Sequence, residues 1–225
     1  VMPGVTPSVL CAAAAMPKLW GPFYRLAILT GQRREEVAAL RWAELDRAAR
    51  EWTIPAARAK NGVVHIVPLS DAVVDELDAL AGGEAWPKSG FVLTTTGRTP
   101  ISGFSKAKKA LDAKVAEIWR TGSDLSDKRD IATNHGAEVE ALPAWRLHDL
   151  RRTVATGLQR LGVRFEVTEA ALNHVSGAKG GVAGIYQRHD WKEEKRAALD
   201  AWARHVQAIV HPADADNVVK LVLAQ

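Results

Sequence analysis

Tyr186 is one of only two tyrosines in this 225-residue chain, and it follows the segment Leu172-Asn173-His174. Upstream of that segment lies His148-Asp149-Leu150-Arg151-Arg152, and a distant Thr30-Gly31-Gln32-Arg33 together with Lys60 completes the set. These residues supply a phenol nucleophile, two guanidiniums, two imidazoles and an ammonium. Phosphoryl transfer without a metal needs such groups, because charge grows on the phosphate oxygens in the transition state and fixed cations can carry it. The chemistry implied is the cutting and rejoining of a phosphodiester.

Each residue also has a plainer reading when taken alone. His148 and Arg151 sit three apart on a helix, so both leave one face and can reach one phosphate, but a solvated face would look the same. Arg33 follows Thr30-Gly31-Gln32 at a break between helices, where the glycine permits the turn and an arginine can project from a helix N-terminus. The same segment reads as a helix C-cap followed by a surface arginine. Glu36, one turn on, can fix the direction of Arg33 or form an ordinary surface ion pair. Lys60 alone would be a solubilising turn lysine. His174 alone would be a buried, hydrogen-bonded histidine, and Tyr186 alone a core residue with its hydroxyl satisfied.

The elements that must position these groups are legible from periodicity. Residues 6 to 29 carry apolar positions at helical spacing with a break at Gly21-Pro22, and a helical pattern resumes from Arg34 to Leu45. Residues 51–55 and 63–68 are β-rich and bracket Lys60-Asn61-Gly62, which predicts a hairpin with Lys60 at or beside its turn. Ser70 is placed to cap a helix from Asp71 to about Leu80. Phe91 to Thr94 reads as extended, and a basic helix follows from about Ile101 to Arg120. Residues 121 to 141 read as a polar loop. Helices are then expected over 147–161, closed by Gly162, over 167–174 and over 190–210, with an apolar tail at 218–223. The glycines at 177, 180, 181 and 184 would let the Tyr186 segment move in and out of a site. The fold class expected is mainly α with a small antiparallel β-sheet.

Composition sets wide bounds. Length suits one large domain or two small ones, and no apolar run approaches the roughly 20 residues that span a bilayer. Cys11 stands alone, which excludes an internal disulfide and a cysteine-built zinc site and fits a reducing cytoplasm. A net charge of +4 permits an anionic partner without demanding one. Most of the thirty basic residues are arginines, the better fit for bidentate phosphate contacts.

Order, spacing and local context together make the chain resemble the catalytic domain of the tyrosine recombinase, or phage integrase, family, especially integrases of prophages and genomic islands. The resemblance runs from about residue 16 to 205. It is strongest in Leu29-Thr30-Gly31-Gln32-Arg33-Arg34-Glu35-Glu36-Val37, Leu147-His148-Asp149-Leu150-Arg151-Arg152-Thr153, Leu172-Asn173-His174 and Ile185-Tyr186-Gln187-Arg188-His189.

That resemblance implies roles. Arg33 and Arg151 match the phosphate-clamping arginines, and His148 matches a general base toward the tyrosine or a further phosphate ligand. Lys60 matches the general acid for the leaving 5′ oxygen, and His174 a donor to the phosphate. Tyr186 matches the nucleophile, giving a 3′-phosphotyrosyl enzyme with no metal and no cofactor. Lys106, Lys108 and Lys109 are candidate contacts to the DNA backbone, with a merely solvated face as the alternative. The implied partners are double-stranded DNA attachment sites, with a tetramer of the protein on DNA and a monomer for the isolated domain. Residues 211–225 would form a tail that docks on a neighbouring protomer or folds back on its own. Opening at Val1, the chain reads as a catalytic domain without the arm-binding and core-binding domains of the family, so its own grip on DNA should be weak and salt-sensitive. A type IB topoisomerase and a non-catalytic, DNA-binding prophage remnant are the alternative readings.

Overall fold

A computed structural model of the chain describes residues 5–17, 19–121, 145–174 and 190–210. Tyr186, the glycine-rich segment before it, most of the expected polar loop and the tail after residue 210 lie outside the described residues. The described elements are α1 (Val5–Ala14), α2 (Trp20–Thr30), α3 (Arg34–Ala38), β1 (Leu45–Asp46), β2 (Glu51–Ile54), β3 (His65–Pro68), α4 (Asp71–Ala81), α5 (Phe104–Thr121), α6 (Leu147–Arg160), α7 (Phe165–Ala171) and α8 (Lys192–Val210). The strands form one antiparallel sheet in the order β1-β2-β3, with Trp52 opposite Val67 and Ile54 opposite His65. The expected class, mainly α with a small antiparallel sheet, holds.

α2 is the centre of the fold. Nearly every residue from Gly21 to Thr30 is buried, as expected for a helix apolar on all sides. α1, α4, α6 and α8 all pack around it. α8 crosses behind the sheet and α7, and its Trp202 donates Nε1–H to the Ile28 carbonyl at 2.7 Å. Gly157 in α6 makes room for that indole: a Cβ there would lie 2.2 Å from Trp202 Cζ3. Trp42, Trp52, Trp145 and Trp202 are all core residues, as their apolar neighbours suggest.

The structure departs from the sequence expectation in four places. The break between the first two helices falls after Ala14 and before Trp20, and Gly21 and Pro22 lie in the first turn of α2. Proline is tolerated there because the first-turn N–H groups have no intrahelical partner. The run from Arg34 is helical only to Ala38, then forms a 3₁₀ turn at Trp42–Glu44 and the short strand β1. Ser70 occupies the N-cap position of α4, but its side chain makes no capping bond. The β2–β3 connection is no two-residue turn; it runs from Pro55 to Val64, with Lys60 inside it.

Candidate active site

The end of α7 organises the site. Asn173 has a left-handed backbone (φ 49°), a conformation asparagine tolerates better than most residues. The Asn173 N–H donates to the Ala170 carbonyl at 3.2 Å and the His174 N–H to the Glu169 carbonyl at 2.9 Å. This double bond pattern is a Schellman stop. It leaves three successive carbonyls, of Ala171, Leu172 and Asn173, in need of donors from elsewhere. Gln32 Nε2 reaches Ala171 O at 3.0 Å, and His65 Nε2 reaches the same oxygen at 3.2 Å. Arg151 donates to Leu172 O, and Arg33 donates to Asn173 O at 3.0 Å. The partial negative charge of a helix C-terminus favours cations at this end.

Both arginines are therefore aimed at neighbouring peptide units. Arg33 is the N-cap residue of α3, and Glu36 fixes it twice: Oε2 accepts the Arg33 N–H at 2.9 Å and Oε1 accepts from Nη1 at 3.1 Å. Glu36 is only 4% exposed, so this is a buried brace and not a surface pair. Arg151, 3% exposed, also donates Nη1 to the Gly31 carbonyl at 2.7 Å. Burial, and then the neighbouring Arg33, lower its pKa to about 10, so it stays charged at neutral pH. Its Nε–H has no hydrogen-bond partner among the described residues. Two guanidiniums that repel each other, one with an unengaged donor, make a receptor for an anion.

The other candidates fall around this pair. His148 lines a small recess together with Arg33 and Arg151. Partial burial, then Arg151 and Arg152, hold its pKa below the ordinary histidine value, leaving a neutral imidazole that can accept a proton. Lys60 is exposed and lines an open cleft of about 720 Å³ that Arg33 and His148 also line. His174 bonds Glu169 Oε1 through Nδ1 at 2.9 Å, which turns Nε2 to the opposite edge of the ring. The structure thus brings Arg33, Lys60, His148 and Arg151 to one connected surface, with His174 one residue past the carbonyl that Arg33 binds. Lys106 and Lys109 are exposed on α5, whereas Lys108 is committed to Asp112 at 2.6 Å and to the face of Trp145 at 4.2 Å.

Sequence reasoning passed over Gln32, His65, Arg58 and the Asn61–Asn173 contact. His65 carried a usable signal, since strand alternation sets it on the same inward face as Val67. It is 5% exposed, and burial, then the charge of Lys195, lower its pKa from 6.5 to about 3. The unfolded chain therefore takes up the proton first. The stabilisation is complete above about pH 6.5 and is lost as the pH falls toward 3, with a slope approaching roughly 1.4 kcal/mol per pH unit. His65→Gln keeps an N–H donor and cannot titrate. Between pH 7 and pH 5 the parent should lose roughly 2 kcal/mol more than the variant in denaturant titrations. Parallel losses would show that His65 does not stay neutral in the fold.

The model of the phage integrase family matches residues 14–192. The chain is 30% identical over 195 residues to prophage integrase IntA of Escherichia coli K12, covering 85% of this chain and 39% of that protein. It is 25% identical over 176 residues to the integrase of Shigella phage Sf6, covering 77% of this chain and 38% of that one. The chain thus spans about two-fifths of the length of these curated relatives. The solved structure of an integrase from mycobacterium phage Brujita superposes with a TM-score of 0.56 at 16% identity, covering 91% of this chain and 62% of that one, and shows the shared fold.

Proposed function

The chain belongs to the phage integrase family, and from that premise we propose that it is the catalytic part of a cytoplasmic enzyme that recombines DNA at specific sites. The reading is carried by the placement of Arg33 and Arg151 on adjacent carbonyls of one helix end, facing a recess shared with His148. The two non-bridging oxygens of a phosphodiester entering there would accept from guanidinium N–H groups beyond those that hold the carbonyls, among them the unengaged Arg151 Nε–H. Negative charge on those oxygens increases during attack, so the guanidiniums bind the transition state more tightly than the substrate.

In the proposed reaction the Tyr186 oxygen attacks phosphorus and the bond to the 5′ oxygen breaks. His148 takes the phenol proton and Lys60 gives one to the departing oxygen. The product is a 3′-phosphotyrosyl link and a free 5′ hydroxyl. This link keeps the energy of the broken bond, so a second strand can be joined without ATP. The other tyrosine is a poor candidate. Tyr24 is 1% exposed beside Trp20 and Phe23, and burial, then Asp112, push its pKa well above the usual phenol value. That supports assigning the attack to Tyr186. We also propose that the working unit is a tetramer assembled on paired attachment sites, with Lys106 and Lys109 touching the backbone beyond the scissile phosphate.

The test is covalent capture from a randomised pool of nicked duplexes at low salt, followed by peptide mapping of the adduct. A detergent-resistant adduct on Tyr186 through a 3′ phosphate is the expected result. An adduct on another residue, or none, would overturn the assignment. Relaxation of supercoiled DNA lacking any selected sequence would favour a topoisomerase instead.

A further inference from the structure

We propose that Asn61 and Asn173 act as a positioning pair that holds Lys60 in register with Arg33; this rests on the recombinase reading and specifies how its general acid is placed. The two side-chain amides are interlocked. Asn61 Nδ2 donates to Asn173 Oδ1 at 2.6 Å, and Asn173 Nδ2 donates to Asn61 Oδ1 at 3.3 Å. The residues are 112 positions apart, and both are half-buried. Asn61 is the immediate neighbour of Lys60, and the peptide carbonyl of Asn173 is the acceptor for Arg33. Lys60 and Arg33 are therefore joined by a path of side-chain hydrogen bonds with a single residue, Asn173, as its pivot.

A general acid must sit within hydrogen-bond reach of the departing oxygen while the clamp holds the same phosphate. Lys60 has a long, flexible stem and lies in a ten-residue connection, so its backbone must be tied down from outside. The connection is tied on both sides of it. On one side Arg58 donates to the Glu36 carbonyl at 2.8 Å and pairs with Glu44. On the other side stands the amide pair. Asn61 Oδ1 also accepts the Val63 N–H at 3.3 Å, which tightens the turn just past the lysine. The Arg58 tether runs to α3, which Arg33 caps, and the amide tether runs to the end of α7, where Arg33 also bonds. Both anchors of the lysine therefore refer to the position of one arginine.

Asn173→Gly is the informative variant, because glycine adopts the left-handed backbone freely and only the amide is lost. Hydrogen exchange, measured without DNA, should show amides 60–63 exchanging at least about tenfold faster in this variant although none of them is mutated. Unchanged exchange there overturns the proposal whether or not the parent cuts DNA. The second measurement uses a duplex captured in the pool experiment, with either the ordinary 5′ oxygen or a bridging 5′ sulfur at the scissile phosphate. A thiolate leaves without protonation, so a misplaced acid matters only for oxygen. Asn173→Gly and Asn61→Ala should each slow adduct formation on the oxygen substrate by about tenfold and on the sulfur substrate by less than about twofold, with the double variant no worse than either. Equal losses on both substrates, or losses that multiply in the double variant, would reject the pair as a positioning device. A parent that captures no duplex from the pool overturns the recombinase reading beneath it, which the DNA-free exchange result distinguishes.

Discussion

Arg151→Lys is expected to form the covalent DNA adduct about a thousandfold more slowly than the parent, measured at saturating DNA in a single turnover. The charge survives this change, so a simple point-charge role would predict little loss. The planar fork does not survive. In the structure the Arg151 guanidinium spans two carbonyls, of Gly31 and Leu172, which belong to segments far apart in sequence. An ammonium on a flexible stem cannot span both and also present an edge to a phosphate. One buried carbonyl is left short of a donor, at a cost of roughly 1–3 kcal/mol. Denaturant unfolding should therefore register a moderate loss of stability, while folded variant protein at low temperature still loses most of its rate. A lysine variant that cuts within about tenfold of the parent would remove Arg151 from the proposed clamp.

The reasons some of this site could be read from sequence, and some could not, are physical. Candidate reactive side chains advertise themselves by type: a tyrosine after Leu-Asn-His, an arginine two past a glycine and another three past a histidine. The long helices α6 and α8 advertise themselves by period, and both run close to where the pattern places them. The partners of the arginines do not advertise themselves. They are backbone carbonyls, which every residue carries, and only the way α7 stops decides which of them need donors. The short strand β1 is hidden for a related reason. It joins β2 through Arg47–Arg50, and Arg50 takes a left-handed backbone (φ 55°) where no glycine or asparagine marks a turn. Gly21-Pro22 misleads in the other direction, since residues that break a helix interior are harmless in its first turn. Lys108 shows the limit of reading charge alone, because its ammonium already has Asp112 and Trp145 as neighbours.

A helix end that must find donors for three carbonyls and a proposed clamp that must hold two like charges together solve each other's problem. The carbonyls of Leu172 and Asn173 offset the repulsion between Arg33 and Arg151, and Glu36 and Glu169 add full negative charges nearby. Glu36 pairs with Arg33, whereas the partners of Arg151 among the described residues are neutral carbonyls, so a cation remains for a phosphate in the proposed reaction. The arrangement also makes the clamp dependent on the path of the backbone at one residue.

That residue is Gly31, and Gly31→Ala is expected to destabilise the fold by roughly 2–5 kcal/mol. Gly31 closes α2 with a left-handed backbone (φ 66°), its N–H bonded to the Ala27 carbonyl at 3.0 Å. A side chain there meets two objections at once. The backbone conformation itself costs alanine about 1–2 kcal/mol. The added Cβ would also lie 2.7 Å from Leu172 Cδ2 and 2.9 Å from Val154 Cγ1. Leu172 and Val154 are both fully buried, so neither has open space to move into. Any relief must shift the Gly31 peptide or Leu172, and the carbonyls of those two residues are the acceptors of Arg151. Stability and catalysis should therefore fail together here: a large drop in the denaturant midpoint, and slower adduct formation by whatever fraction remains folded. A variant that keeps the parent midpoint within about 1 kcal/mol would mean that the turn between α2 and α3 is looser than these distances allow, and that Arg151 is held by something other than the two carbonyls.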